Sequence, residues 1–170
     1  MSRFCAIALF LAGMVTPLLA DNTMTLTSPS FDEGKPIPGR FAYHSENHPP
    51  SLTFSKPPQG TKSLAVIVDD PDAPAGLWTH WVIWNIPASI HSIEENTVPS
   101  SALQGRNSFG NCRYDGPAPP SGTHRYFFHV YALDTVLPLP SGASRGQLEA
   151  AMKDHVLAGA ETYGTFSASP

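Results

Sequence analysis

The chain has little cysteine and little charge. Of its two cysteines, Cys5 sits in an apolar N-terminal stretch and only Cys112 lies beyond it. A single cysteine closes no internal disulfide and builds no CxxC pair or zinc-ligand spacing, so stability has to come from a packed core. Flanked by Asn111 and Arg113, Cys112 reads as a small buried side chain. Charged residues make up 14% of the 170 positions, and 10 basic against 14 acidic residues leave a net charge of −4. That balance offers no electrostatic footprint for nucleic acid or an anionic lipid surface. No Asn-x-Ser/Thr acceptor, internal repeat or low-complexity tract occurs. Without a Gly-x-Ser-x-Gly elbow, and with no base near Cys112 in sequence, a covalent nucleophile has no support.

Turn residues, by contrast, are plentiful. Eighteen prolines and thirteen glycines argue against a helical bundle and for many turns between short strands. Hydrophobic residues at 41% are enough for a folded domain.

Residues 1–20 have the layout of a secretory signal peptide: Arg3, an apolar stretch from Phe4 to Ala12, then Pro17 and Leu18-Leu19-Ala20 before Asp21. Gly13, Thr16 and Pro17 interrupt the run, which disfavours an uncleaved anchor. Cleavage after Ala20 would leave residues 21–170 as one exported domain, periplasmic or secreted, with a net charge of −5 once Arg3 is removed. A length of 150 residues suits one core rather than two.

Along that domain, Met24–Thr27, Phe41–Tyr43 and Ser51–Phe54 are short strand candidates. Ser63–Val68 is nearly all apolar and β-branched, so it reads as a strand buried on both faces. Thr79–Ile86, Tyr126–Leu133 and Thr162–Phe166 complete the set. One helix is expected over about 144–156: Ser144 and Gln147 form a capping-box pattern, and Leu148, Met152 and Val156 recur at helical spacing. Leu148, Ala151, Met152 and His155 make the stripe that would dock on the strands. The fold class is therefore mostly β, a sandwich of two antiparallel sheets in Greek-key order with one late helix.

Three segments set polar side chains beside apolar strands. Asp69-Asp70-Pro71-Asp72-Ala73-Pro74 places three carboxylates in four residues; they repel unless they are splayed or compensated. Composition alone reads this as an Asx-Pro turn capping backbone N–H groups. In Trp78-Thr79-His80-Trp81, strand alternation puts Trp78 and His80 on one face and Thr79 and Trp81 on the other. A return of the chain from Asp70 to His80 would bring carboxylate and imidazole together; the alternative is a core histidine in an aromatic cluster. Gly116-Pro117-Ala118-Pro119-Pro120 makes a stiff rim, with Gly116 leaving room for close approach. Beyond it His124 and Tyr126 share a strand face with Arg125 opposite. They offer donors to an anionic oxygen, or simply pack.

Together the DPDAP stretch at 70–74, Trp78-x-His80, the GPxPP…HRY block from Gly116 to Tyr126, and Gly105-Arg106-Asn107-Ser108-Phe109-Gly110 resemble the phosphatidylethanolamine-binding protein family, most closely its bacterial, Raf-kinase-inhibitor-like branch. The likeness runs from about Met24 to Phe166. It implies a Greek-key sandwich with a small pocket for phosphate, acetate or a phosphorylated headgroup such as phosphorylethanolamine. Asp70, His80, His124 and Tyr126 would form its polar floor and walls, and Pro74, Trp78, Gly116, Ala118 and Pro120 its rim. Ala118 departs from the cysteine or glycine usual there, which removes any thiol role. Asp70 would either orient a histidine or meet a ligand ammonium, and Arg125 would hold the strand end from the far face.

The resemblance implies a binding protein with no catalytic residue, cofactor or metal, and bacterial relatives set a homodimer as the expectation. Two other classes stand beside it. An interaction protein would inhibit a protease, kinase or host protein through a surface that no motif marks. A metal-dependent hydrolase would use Asp70, Asp72, His80 and His124 as ligands.

Overall fold

The computed structural model describes residues 23–168; the signal segment expected over residues 1–20 lies outside them. Two antiparallel sheets form the domain. The smaller contains β1 (Leu26–Thr27), β2 (Leu52–Phe54) and β5 (Ser92–Ile93), in the order β1-β2-β5. The larger contains β3 (Ser63–Asp70), β4 (Trp78–Pro87), β6 (Leu103–Gln104), β7 (Thr123–Leu133) and β8 (Val156–Ser167), in the order β6-β4-β3-β7-β8. Within it, β3, β4 and β6 lie side by side and β7 returns to the free edge of β3, which is the Greek-key arrangement. The excursion between β4 and β6 places β5 in the other sheet.

Strand β3 is buried along its whole length, as its apolar run requires. Leu64, Val66 and Val68 enter the core between the sheets with Leu52, Phe54, Ile83 and Phe128. Ala65 and Ile67 enter a second core with Val82, Trp84, Leu148 and Met152, beneath α1 (Arg145–Met152). Among the described residues no helix is long and apolar enough to cross a membrane.

Several local expectations differ from the structure. Phe41–Tyr43 is not a strand: Gly39–Phe41 is a 3-10 turn after Pro38, closed by Phe41 N–H to the Pro38 carbonyl and Ala42 N–H to the Gly39 carbonyl, each at 3.0 Å. Phe41 is buried through that turn instead of through a ladder. The helix has the Ser144/Gln147 capping box but stops at Met152. Asp154 adopts a left-handed conformation (φ 67°), and the chain reverses so that Val156 pairs with Leu133 as the first residue of β8. Val156 thus leaves the helical stripe for an exposed strand position, and His155 meets Asp134 at 2.7 Å. The β7–β8 ladder runs from Thr123↔Ser167 to Leu133↔Val156, so the weak signal at 162–166 marked only part of a long strand. Cys112 is exposed, contrary to expectation, because only the flanking polar loop carries it.

Asn85 shows how β4 reaches both cores. It has φ 58° and is the extra residue in a register shift opposite β3, so Trp84 faces the helix while Ile86 returns to the inter-sheet core. Its side chain donates to the Leu137 carbonyl (3.0 Å) and accepts from the Leu137 N–H (2.9 Å), replacing a backbone pair. Asn85→Ala loses both bonds and strains the backbone, an expected cost of about 2–3 kcal/mol, whereas Asn85→Gly recovers about 1 kcal/mol by relieving the strain. Urea denaturation of the two variants checks the order; equal losses would mean that the left-handed conformation carries no strain.

Candidate ligand pocket

The end of β3 has to dispose of three carboxylates, and the structure sends each to a different partner. Asp69 points toward α1 and meets Arg145 at 2.6 Å. Burial pushes the Asp69 carboxyl up, against the opposing pull of the Arg145 charge. Asp70 points to the opposite side, where its Oδ2 is 2.7 Å from His124 Nδ1. Its Oδ1 accepts the Asp72 N–H at 2.8 Å, so Asp70 both closes an Asx turn and orients a histidine. Asp72 turns outward to Arg125, at 2.9 Å from Nε and 2.7 Å from an Nη, and accepts the Arg125 backbone N–H as well. Arg125 holds the Asp72 carboxyl down at about 2.

A β-bulge aims His80. Val68 pairs with Trp81 and Asp69 with Thr79, which leaves His80 as an extra residue with no partner on β3. Trp78 and His80 therefore share a wall of one cavity, but Trp81 does not go with Thr79. It enters the inter-sheet core, while Thr79 pairs with Asp69 in the ladder and lies on the other side. Strict alternation fails here because the bulge adds one residue.

The cavity is about 240 Å³ and is lined by Asp70, Ala73, Pro74, Ala75, Trp78, His80, Phe109, Ala118 and Pro120. That is smaller than the roughly 300–1,000 Å³ of sites for drug-sized ligands. Six of the nine residues singled out in the sequence line it. The other three stand just behind. His124 is buried against Asp70, and the Tyr126 ring packs edge-on to His80 at 5.1 Å between centroids. Gly116 shapes the rim from outside, because a Cβ there would overlap the Phe41 carbonyl oxygen. Burial and the Asp70 charge together raise the Tyr126 phenol above its ordinary range, so it is an O–H donor at neutral pH.

Three buried polar atoms in this region have no hydrogen-bond partner within the chain: Trp78 Nε1, His80 Nε2 and the Tyr126 hydroxyl. The other His80 nitrogen is committed, with Nδ1 2.6 Å from the Asp115 carbonyl oxygen. Burial lowers the His80 pKa, against the Asp115 carbonyl and the Asp70 charge. The proposed metal-ligand set does not assemble, since Asp72 is drawn away by Arg125. Among the described residues no group of three His, Cys, Asp or Glu is placed to hold a metal ion.

The residues that sequence reasoning missed support the site from behind. The Asp115 side chain is fully buried and accepts from Asn47 (3.0 Å), Asn107 (2.8 Å), Asn111 (2.7 Å) and Arg113 (3.0 Å). Burial alone would raise its pKa, but the hydrogen bonds from Asn111, Asn107 and Asn47 outweigh it and hold the carboxyl low. Asn107 also accepts from the Phe109 and Asn111 N–H groups, and this folds the loop that sets Phe109 over Trp78 and His80. Asn47 caps the Gly116 N–H at 2.8 Å. Asn107 lies in the Gly105–Gly110 stretch that entered the resemblance without a role of its own, and Asn111 and Asp115 showed only a density of Asn and Asp; Asn47, from a distant loop, gave no signal.

Comparison with known proteins identifies the family. The phosphatidylethanolamine-binding protein family profile matches residues 27–167. A UPF0098 protein of Methanothermobacter thermautotrophicus is 47% identical over 148 residues, 84% of this chain and 98% of that one. One from Chlamydia muridarum is 43% identical over the same shares. Among solved structures, a phosphatidylethanolamine-binding protein homolog from Chlamydia trachomatis superposes with a TM-score of 0.83 at 40% identity, over 87% of this chain and 99% of that one. YbcL of E. coli, described as a member of the mammalian family, gives 0.81 at 33% identity, over 86% and 99%. The chain belongs to the phosphatidylethanolamine-binding protein family.

The Asp72–Arg125 pair makes an acid-side prediction. Because Asp72 is depressed in the folded state, its contribution is complete above the unfolded value of about 4 and is lost as the pH falls through about 2. Thermal melts of the parent and Arg125→Gln between pH 5 and 2 should converge at the acid end. A constant gap across that range would mean that the pair adds nothing to pH-dependent stability.

Proposed function

We propose that this protein binds small phosphorylated anions in the Asp70–His80 pocket without turning them over, and that it does so outside the cytoplasm, as a periplasmic or secreted protein. One observation carries the binding reading: Trp78 Nε1 and His80 Nε2, buried and without protein partners, belong to two residues that line one cavity, and the unpartnered Tyr126 hydroxyl lies just behind it. Buried polar groups are costly unless satisfied, so their convergence supports a polar ligand. The small volume and the apolar walls of Ala73, Pro74, Phe109 and Pro120 fit a phosphate-sized group with a short substituent. The family's named ligand, a phosphate ester of ethanolamine, has that shape, and the Asp70 carboxylate suits an ammonium group beside the phosphate.

Binding without turnover is supported by what lines the cavity. None of its lining residues is a serine, threonine, cysteine or lysine, so it presents no hydroxyl, thiol or amine nucleophile. Asp70 is held by His124 and by its own turn, which suits an orienting carboxylate better than a mobile base. The export reading rests on the Arg3, Phe4–Ala12 and Leu18-Leu19-Ala20 pattern.

Calorimetric titration with inorganic phosphate and phosphorylethanolamine tests the reading. Both should bind saturably, and phosphorylethanolamine should bind more tightly at pH 6 than at pH 8, since phosphate monoesters take up their second proton near pH 6. His80→Ala and His124→Ala should each weaken binding by roughly 10- to 100-fold, the worth of one hydrogen bond to a charged group. Absence of binding by well-folded protein would overturn the proposal.

A further inference from the structure

We infer that His80 makes this pocket selective for phosphoanions that carry a proton, such as hydrogen phosphate and singly ionised phosphate monoesters, over fully ionised anions of the same shape such as sulfate. The inference rests on the anion-binding reading above and concerns which proton the site demands.

The argument begins with the tautomer. A backbone carbonyl only accepts, so the 2.6 Å contact between His80 Nδ1 and the Asp115 carbonyl oxygen requires the hydrogen to be on Nδ1. The neutral ring then presents a lone pair at Nε2, the nitrogen that is buried and has no partner. Turning the ring over would break this bond and leave the Asp115 carbonyl unpaired beside a buried imidazole.

The supporting structure makes that reversal costly. Asp115 is clasped to His80 a second time, its own N–H donating to the His80 carbonyl at 3.1 Å. Its carboxylate is held by Asn47, Asn107, Asn111 and Arg113. Asn107 reaches the His80 carbonyl as well, at 3.3 Å. The groups around the ring are Asp70 from β3, His124 and Tyr126 from β7, Phe109 from the loop after β6, and the Asp115 and Gly116 backbone carbonyls behind. His80 is 2% exposed, and burial favours the neutral ring over the Asp70 and Asp115 charges.

A lone pair and the Asp70 carboxylate are poor company for an anion that has only acceptors. Hydrogen phosphate carries an O–H that donates to Nε2, while its remaining oxygens accept from Tyr126 and Trp78. Sulfate has no proton at neutral pH. It fits only if His80 takes one from solvent, and that cost rises by about tenfold in affinity per pH unit above the ring's depressed pKa. Leaving Nε2 unpaired costs roughly 10- to 100-fold by the same reasoning.

The test compares inorganic phosphate with sulfate on the full chain by calorimetry at pH 7.5 and 5.5, with ¹⁵N NMR of the imidazoles in the ligand-free protein. The expected result is sulfate binding at least about tenfold weaker than phosphate at pH 7.5, a gap that narrows at pH 5.5, and a His80 ring protonated at Nδ1 alone. Sulfate binding as tight as phosphate at pH 7.5, or a ligand-free ring protonated at Nε2, would overturn the inference while leaving the anion pocket standing. If neither anion binds, the pocket reading itself fails and the selectivity with it.

Discussion

The structure depends on how three carboxylates at the end of one buried strand are kept apart. Asp69, Asp70 and Asp72 lie within four residues, and left together they would repel strongly in a poorly solvated environment. The pleat and the turn separate them: Asp69 goes to Arg145 on the helix, Asp70 to His124 on the neighbouring strand, and Asp72 to Arg125 at the surface. Each pairing also fastens one element to β3. The helix docks through Arg145, while β7 is held from both faces through His124 and Arg125. The pocket is what remains on the Asp70 side once these attachments are made.

The second constraint is that β4 serves two cores and a cavity wall with one run of residues. Regular alternation would not allow it. A bulge at His80 and a left-handed residue at Asn85 each insert one residue, so that Trp81, Ile83 and Ile86 fill the inter-sheet core while Val82 and Trp84 face the helix. The same bulge frees His80 from the ladder and turns its ring toward the cavity. A defect in pairing with β3 is thus what puts the histidine ring in the cavity wall.

Behind the ring, the buried Asp115 carboxylate organises two loops that are distant in sequence. Asn47 and Asn107 converge on it and in turn cap Gly116 and hold Phe109. The result is a rigid rear wall with its hydrogen bonds satisfied and a front wall that carries unpaired polar atoms. That asymmetry distinguishes a binding site from a merely polar interior: the groups that fix geometry are spent within the protein, and those that face the cavity are not.

Much of this was legible in the sequence. The apolar run at 63–68 implied a strand buried on both faces, and it is; the Ser144/Gln147 cap implied a helix start, and the box is formed. The motifs 70–74, 78–80 and 116–126 implied one family, and the chain belongs to it. These signals are local, because period, capping and turn chemistry depend on neighbours in the chain. What depends on distant neighbours could not be read. Phe41 is buried by a turn because its carbonyl must lie against Gly116. Val156 leaves the helix because β7 has a residue left to pair. Cys112 is exposed although its type favours burial. The sequence by itself determined the long strands β3, β4 and β7 in outline, the helix start and the family. Only the tertiary structure decided which carboxylate meets which partner, and which His80 nitrogen is left unpaired, because those choices rest on partners 35 or more residues away.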